Sequence, residues 1–210
     1  MNNKMRQETL LKIIGLMRRG LGRGLTILEI SKQLKIGYRP AYNHISEMET
    51  EGIMQVERIG SAKKCSLNIS SPKTRHLLES LDMLRKEELY KKNTKLRILD
   101  NLISKLIEKF ISRIHSIILF GSYVKGTATK QSDIDLLFIV DNLKDKKLRE
   151  VIDRESASYQ YTHNTKISPL ITDIKEFKEM LKSKEFNVGK EVKESGVSLY
   201  GHELFWRLIE

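Results

Sequence analysis

Cysteine is nearly absent from this 210-residue chain: Cys65 stands alone, which excludes an internal disulfide framework and any zinc site built on paired thiolates. The five histidines, His44, His76, His115, His163 and His202, are scattered without ligand-like spacing, so imidazole-held metal is a poor reading. Long apolar runs are missing too; the longest, Leu136 to Val140, cannot span a bilayer. The opening MNNKMRQE is polar and has no apolar signal-peptide core. These absences lead us to expect a soluble, cytoplasmic protein with no membrane partner. What is present, 40% hydrophobic and 31% charged residues, suits a chain that buries a core in one ordinary domain or two small ones.

The net charge of +11 is unevenly placed. Residues 1–70 carry 12 basic and 6 acidic side chains, residues 71–115 carry 11 and 6, and residues 116–210 carry 15 of each. A basic half joined to a neutral half reads as a polyanion-binding module attached to something with a different task. Lysine-rich surfaces that only aid solubility are the competing explanation.

Three amphipathic segments come first. Leu10, Ile13, Ile14 and Met17 recur at helical steps until Gly20, Gly22 and Gly24 break the pattern. Thr26, with Glu29 three residues on, predicts a capping box for a second helix carrying Ile27, Ile30 and Leu34. A third helix has Pro40 in its first turn, an inward stripe of Ala41, Ile45 and Met48, and a stop at Gly52. Ile53 to Ile59, a Gly60-Ser61 turn with Lys63 and Lys64, and Cys65 to Ile69 then form a hairpin. From Pro72 to Arg113 the chain reads as two helices without a further proline or glycine. One has a Leu77, Leu81, Leu84 stripe and serves as linker; the other packs Leu96, Leu99, Ile103, Leu106 and Phe110 onto the C-terminal domain.

The helix, short helix, helix and basic hairpin, and especially Ala41-Tyr42-Asn43-His44-Ile45 followed by Met48-Glu49, resemble bacterial and archaeal winged helix-turn-helix regulators. That resemblance implies DNA as partner, with Arg39, Tyr42, Asn43 and Ser46 on the groove-facing side of the third helix and Lys63 and Lys64 on phosphates. Such domains also serve as protein-protein modules, and Lys63 and Lys64 are equally compatible with an ordinary solvated turn. The connector and the pairing habit of winged helices hint at a homodimer.

The chemistry-bearing stretch runs from Ile117 to Val140. Four apolar residues end abruptly at Gly121-Ser122, and a second strand begins Asp133-Ile134-Asp135. Residues two apart on a strand share a face, so Asp133 and Asp135 project together. Two adjacent carboxylates repel unless a cation lies between them, and hard oxygen ligands favour Mg2+ or Mn2+. A glycine-serine corner lets the backbone approach an anion such as a phosphate. The plainer alternative is a strand-start cap and a tight turn.

Gly121-Ser122, ten intervening residues and Asp133-Ile134-Asp135 are similar to the signature of the DNA polymerase β-type nucleotidyltransferases, above all the minimal nucleotidyltransferases. Glu191 and Gly196 to Gly201 resemble the tail that closes such domains. The resemblance implies a mixed sheet flanked by helices, metal at Asp133 and Asp135, and the phosphates of a nucleoside triphosphate at Gly121 and Ser122. A nucleoside monophosphate would pass to an acceptor hydroxyl, and the toxin-neutralising members make a protein acceptor plausible. Active members usually supply a third carboxylate from a later strand. Here that strand, Lys166 to Ile171, contains no acid; Lys166 or Ser168 takes the place, and Asp173 lies just beyond. Nucleotide binding without turnover, in a DNA-binding regulator, therefore stays open beside catalysis. The expectation is an α+β chain of three parts: a winged helix over 1–70, a helical linker over 71–93 and a nucleotidyltransferase domain over 94–210.

Overall fold

The computed structural model describes residues 3–19, 21, 23–60 and 62–210; Gly20, Gly22 and Ser61, read above as turn residues, lie outside the described residues. The chain divides into two compact units, Met1–Leu81 with Glu210, and Asp82–Ile209.

In the first unit, helix α1 (Asn3–Arg18) is followed by a two-residue strand β1 (Leu25–Thr26), α2 (Ile27–Leu34), α3 (Tyr38–Thr50) and a hairpin of β2 (Met54–Ile59) and β3 (Ala62–Leu67). The capping box forms as the sequence requires. The Glu29 backbone N–H donates to Thr26 Oγ1 at 3.2 Å, and the Thr26 N–H donates to Glu29 Oε2 at 2.7 Å. Ile13, Ile14, Met17, Ile27, Ile30, Ala41, Ile45, Met48, Ile53 and Cys65 make the core, over an antiparallel sheet of order β1-β3-β2. His44 is buried with the α3 stripe.

Helix α4 (Pro72–Lys92) contains the boundary between the units. Its buried positions are Thr74, Leu78, Asp82 and Tyr90; of the expected Leu77/Leu81/Leu84 stripe, Leu77 and Leu81 are half-buried and Leu84 is half exposed, so the packing face lies beside that stripe. At Asp82 the burial comes with a polar contact that hydropathy does not register: buried Trp206 donates its indole N–H to Asp82 Oδ2 at 3.1 Å.

The second unit continues with a 3-10 turn (Thr94–Arg97), α5 (Ile98–Phe110), β4 (Ile114–Phe120), α6 (Ser122–Lys125), β5 (Ile134–Val140), α7 (Lys146–His163), β6 (Ile167–Asp173), α8 (Ile174–Lys182), α9 (Val188–Ser195), β7 (Val197–Tyr200) and α10 (His202–Leu208). The sheet order is β6-β5-β4-β7; β5 and β6 run parallel through the α7 crossover, and the other pairs are antiparallel. It is a mixed sheet flanked by helices. Alternation along β5 sorts its side chains: Ile134, Leu136, Phe138 and Val140 join the core built with Leu96, Leu99, Leu102, Leu106 and Phe110. Leu102 is fully buried in that stripe, and Ile103 packs against it partly buried. Asp135, Leu137 and Ile139 alternate onto the opposite face.

Glycines let the tail close against this sheet. At Gly196 a Cβ would lie 2.9 Å from Ile118 Cγ2, and at Gly201 (φ 67°) a Cβ would collide with the His115 carbonyl oxygen. Ser116 Oγ donates to the Gly201 carbonyl at 2.8 Å, securing the same approach.

Candidate active site

Strand β4 ends at Phe120, which pairs with Asp135 across the sheet. The chain must then turn sharply into α6, and Gly121 does so at φ 74°, ψ −151°, a conformation essentially confined to glycine. The missing side chain matters as much as the dihedral. A Cβ on Gly121 would stand 2.0 Å from Asp135 Oδ2, so the Asp135 carboxylate lies directly against the Gly121 backbone. The glycine-serine corner and the second aspartate are therefore in direct contact.

Asp133 precedes β5 and is half-buried, with its carboxylate turned toward β6. Its Oδ2 accepts from Lys166 Nζ at 2.5 Å and from Ser168 Oγ at 3.0 Å. Ser168 pairs in register with Asp135, and the Ile134 N–H donates to the Lys166 carbonyl at 2.9 Å. Parallel pairing thus brings both residues to Asp133.

The two carboxylates respond oppositely. The hydrogen bond from Lys166, helped by Ser168 and by the lysine charge, holds Asp133 below its ordinary range. Burial pushes Asp135 up, and repulsion from Asp133 and then Glu191 adds to it, against the opposing pull of Lys125 and Lys166. A half-buried acid raised by a neighbouring acid is an electrostatic seat for a cation.

Three residues frame this site that the sequence did not single out for it. Tyr123, buried in α6, donates its hydroxyl to the Ser132 carbonyl at 3.3 Å and so ties the corner to the Asp133 segment. Lys125 Nζ pairs with Glu191 Oε1 at 2.6 Å, anchoring α6 to α9. Glu191 was visible only as part of the tail; nothing in the local pattern joined it to Lys125. Asp173 does not enter the site. It pairs with Val140 at the far end of β6 and caps α8, accepting from the Glu176 N–H at 2.8 Å.

Among the described residues no three His, Cys, Asp or Glu side chains converge as a metal cluster. Two hard carboxylates beside an open glycine corner still suit one divalent cation with phosphate oxygens completing its shell.

On the first unit, Arg39, Tyr42 and Asn43 are exposed along α3 and Ser46 is half-buried. Lys63 joins them: its Nζ lies 3.4 Å from the Tyr42 hydroxyl and 4.8 Å from the ring centroid. Lys64 does not. Both lysines belong to β3 rather than to the turn, and Lys64 lays its side chain over Gly24 instead. Adjacent strand residues point to opposite faces, which separates the pair.

Residues 99–195, just under half the chain, match the family of the nucleotidyltransferase domain, so the site lies within a domain of nucleotidyltransferase fold. Three proteins of Methanocaldococcus jannaschii, named as proposed protein adenylyltransferases, are similar to this chain. One is 39% identical over 82 residues, covering 36% of this chain and 53% of its own length. A second is 32% identical over 59 residues, covering 28% and 60%. A third is 49% identical over 39 residues, covering 19% and 39%. The chain therefore spans from about two fifths to three fifths of these relatives. A solved toxin-antitoxin complex with AMP-PNP is 25% identical, covers 52% of this chain and 82% of its own, and superposes with a TM-score of 0.35. A mutant toxin-antitoxin complex with the same coverages is 20% identical, with a TM-score of 0.34.

Proposed function

We propose that the second unit transfers a nucleoside monophosphate, most simply AMP, from its triphosphate to a protein hydroxyl, and that the first unit is a winged helix that binds DNA. The observation carrying the first part is the seating of Asp135 against the Gly121 backbone, with Asp133 beside it. An acidic pair and a phosphate-accepting corner then address one ligand. The names of the M. jannaschii relatives support adenylyl as the group and protein as the acceptor.

In this reading Asp133 and Asp135 hold Mg2+ or Mn2+, which supplies charge neutralisation to the triphosphate. Ser122 Oγ and the Gly121-Ser122 backbone fix phosphate oxygens. The acceptor oxygen bonds to the α-phosphorus in line, the bond from that phosphorus to the bridging oxygen breaks, pyrophosphate leaves and the acceptor proton passes to solvent. Positioning and electrostatics carry most of such a transfer.

A second reading is favoured by Ser168, which stands in register with Asp135 where an acid would complete the set. There the domain binds nucleotide without turnover and informs a DNA-binding regulator. ATP labelled at the α-phosphate, with Mg2+ or Mn2+, separates the two. Label on protein, lost in Asp133→Ala/Asp135→Ala, supports transfer; nucleotide binding with no label transferred under either metal supports the sensor; no binding defeats both.

A further inference from the structure

The unusual feature of the site is the lysine on its first aspartate. Asp133 Oδ2 receives both Lys166 Nζ, at 2.5 Å, and Ser168 Oγ, at 3.0 Å. A carboxylate oxygen has two lone pairs, so two donors fill it. Left to a metal are the other Asp133 oxygen and the Asp135 carboxylate on the Gly121 side. On the β6 side, where a second cation would bind Asp133, the ammonium already stands.

Its placement is built into the sheet. The Ile134 N–H, between the two aspartates in sequence, bonds the Lys166 carbonyl at 2.9 Å and fixes that backbone beside Asp133. The four-carbon stem then needs only to fold back. The charges agree as well. Three carboxylates with two divalent cations leave one positive charge; two carboxylates, one lysine and one divalent cation leave the same. A second divalent ion on the β6 side of Asp133 would face the ammonium at close range, a like-charge contact that opposes its binding.

We propose that the Lys166 ammonium, held on Asp133 with Ser168, takes the place of a second divalent cation, so that the site binds a single metal ion. This rests on the transferase reading above and specifies how its metal site is made with two acids. Lys166 acts here as a positioning and charge-supplying residue.

The test counts Mn2+ by electron paramagnetic resonance on the full chain with saturating AMP-PNP. Wild type is expected to hold one Mn2+ per chain. Lys166→Met, which keeps the stem and removes the charge, is expected to hold two, the second at least about tenfold tighter than any second ion in wild type. Lys166→Arg keeps the charge and is expected to stay at one. Lys166 is 57% exposed at its side chain, so Lys166→Met should cost only the modest stability of its bond to Asp133, and the melt is recorded with each titration. Two Mn2+ in wild type, or one in Lys166→Met, overturns the proposal while leaving the transferase reading intact. Wild type that binds neither Mn2+ nor the analogue overturns both.

Discussion

Gly121→Ala tests the geometry on which the site depends. The substitution acts twice. First, it places alanine at φ 74°, ψ −151°, where a side chain is strained by about 1–3 kcal/mol. At roughly 2–4 °C per kcal/mol this lowers the melting temperature by several degrees. Second, the new Cβ would fall 2.0 Å from Asp135 Oδ2, and the carboxylate must retreat by more than about 1 Å. A misplacement of that size costs on the order of 100-fold in a reacting or metal-bridged geometry. Gly126→Ala is the matched control. Gly126 also has positive φ, 75°, but a Cβ there meets nothing within 4 Å. It should lose about 1–2 kcal/mol of stability and keep its affinity for Mn2+ with AMP-PNP. Calorimetric titration with that pair, beside thermal melts, separates the effects. Equal affinity in Gly121→Ala and wild type, or equal losses in both variants, would refute the claim that the corner and Asp135 address one ligand.

Further expectations concern charge, DNA and packing. In metal-free buffer near neutral pH, Asp135→Asn should raise the melting temperature, because burial and its acidic neighbours make the ionised carboxylate unfavourable. With a raised folded pKa, wild type recovers that loss as pH falls and Asp135 takes up its proton, so the gain should shrink in acid; a gain that grows in acid contradicts the sign. Asp133→Asn should do the reverse: its carboxyl is held low by Lys166, so its stabilisation is present above the unfolded pKa and disappears as pH falls through the lowered one. For DNA binding measured by fluorescence anisotropy over a salt series, Lys63→Ala should lower the salt slope by about 1 and Arg39→Ala should cost about 1–3 kcal/mol. Lys64→Ala, on the opposite face of β3, should change little; a flat salt response in wild type would point to a protein partner instead. Trp206→Phe removes the bond to Asp82 and should cost about 1.5–3 kcal/mol in a chemical melt of the second unit.

Several features were decided locally and were therefore readable from residue order. Thr26 and Glu29 build their capping box within four residues, and two-residue spacing along an extended segment puts Asp133 and Asp135 on one side without reference to the rest of the molecule. Gly121-Ser122 with Asp133-Ile134-Asp135 is likewise a matter of short spacing, so the candidate site could be proposed from residue order alone.

Tertiary structure alone decided what those residues meet. That Asp135 rests on Gly121 depends on antiparallel pairing of β4 with β5, and that Lys166 reaches Asp133 depends on the parallel return of β6 across 33 residues. Asp82, buried on α4, meets Trp206 from 124 residues away, and Lys125 found Glu191 through the seating of α9. Periodicity encodes which side of an element is apolar, but a hydrogen bond or an ion pair between distant elements leaves no periodic trace. Asp173 fell out for the same reason: its distance along β6, not its closeness in sequence to Lys166 and Ser168, determined that it caps a helix instead of meeting a metal.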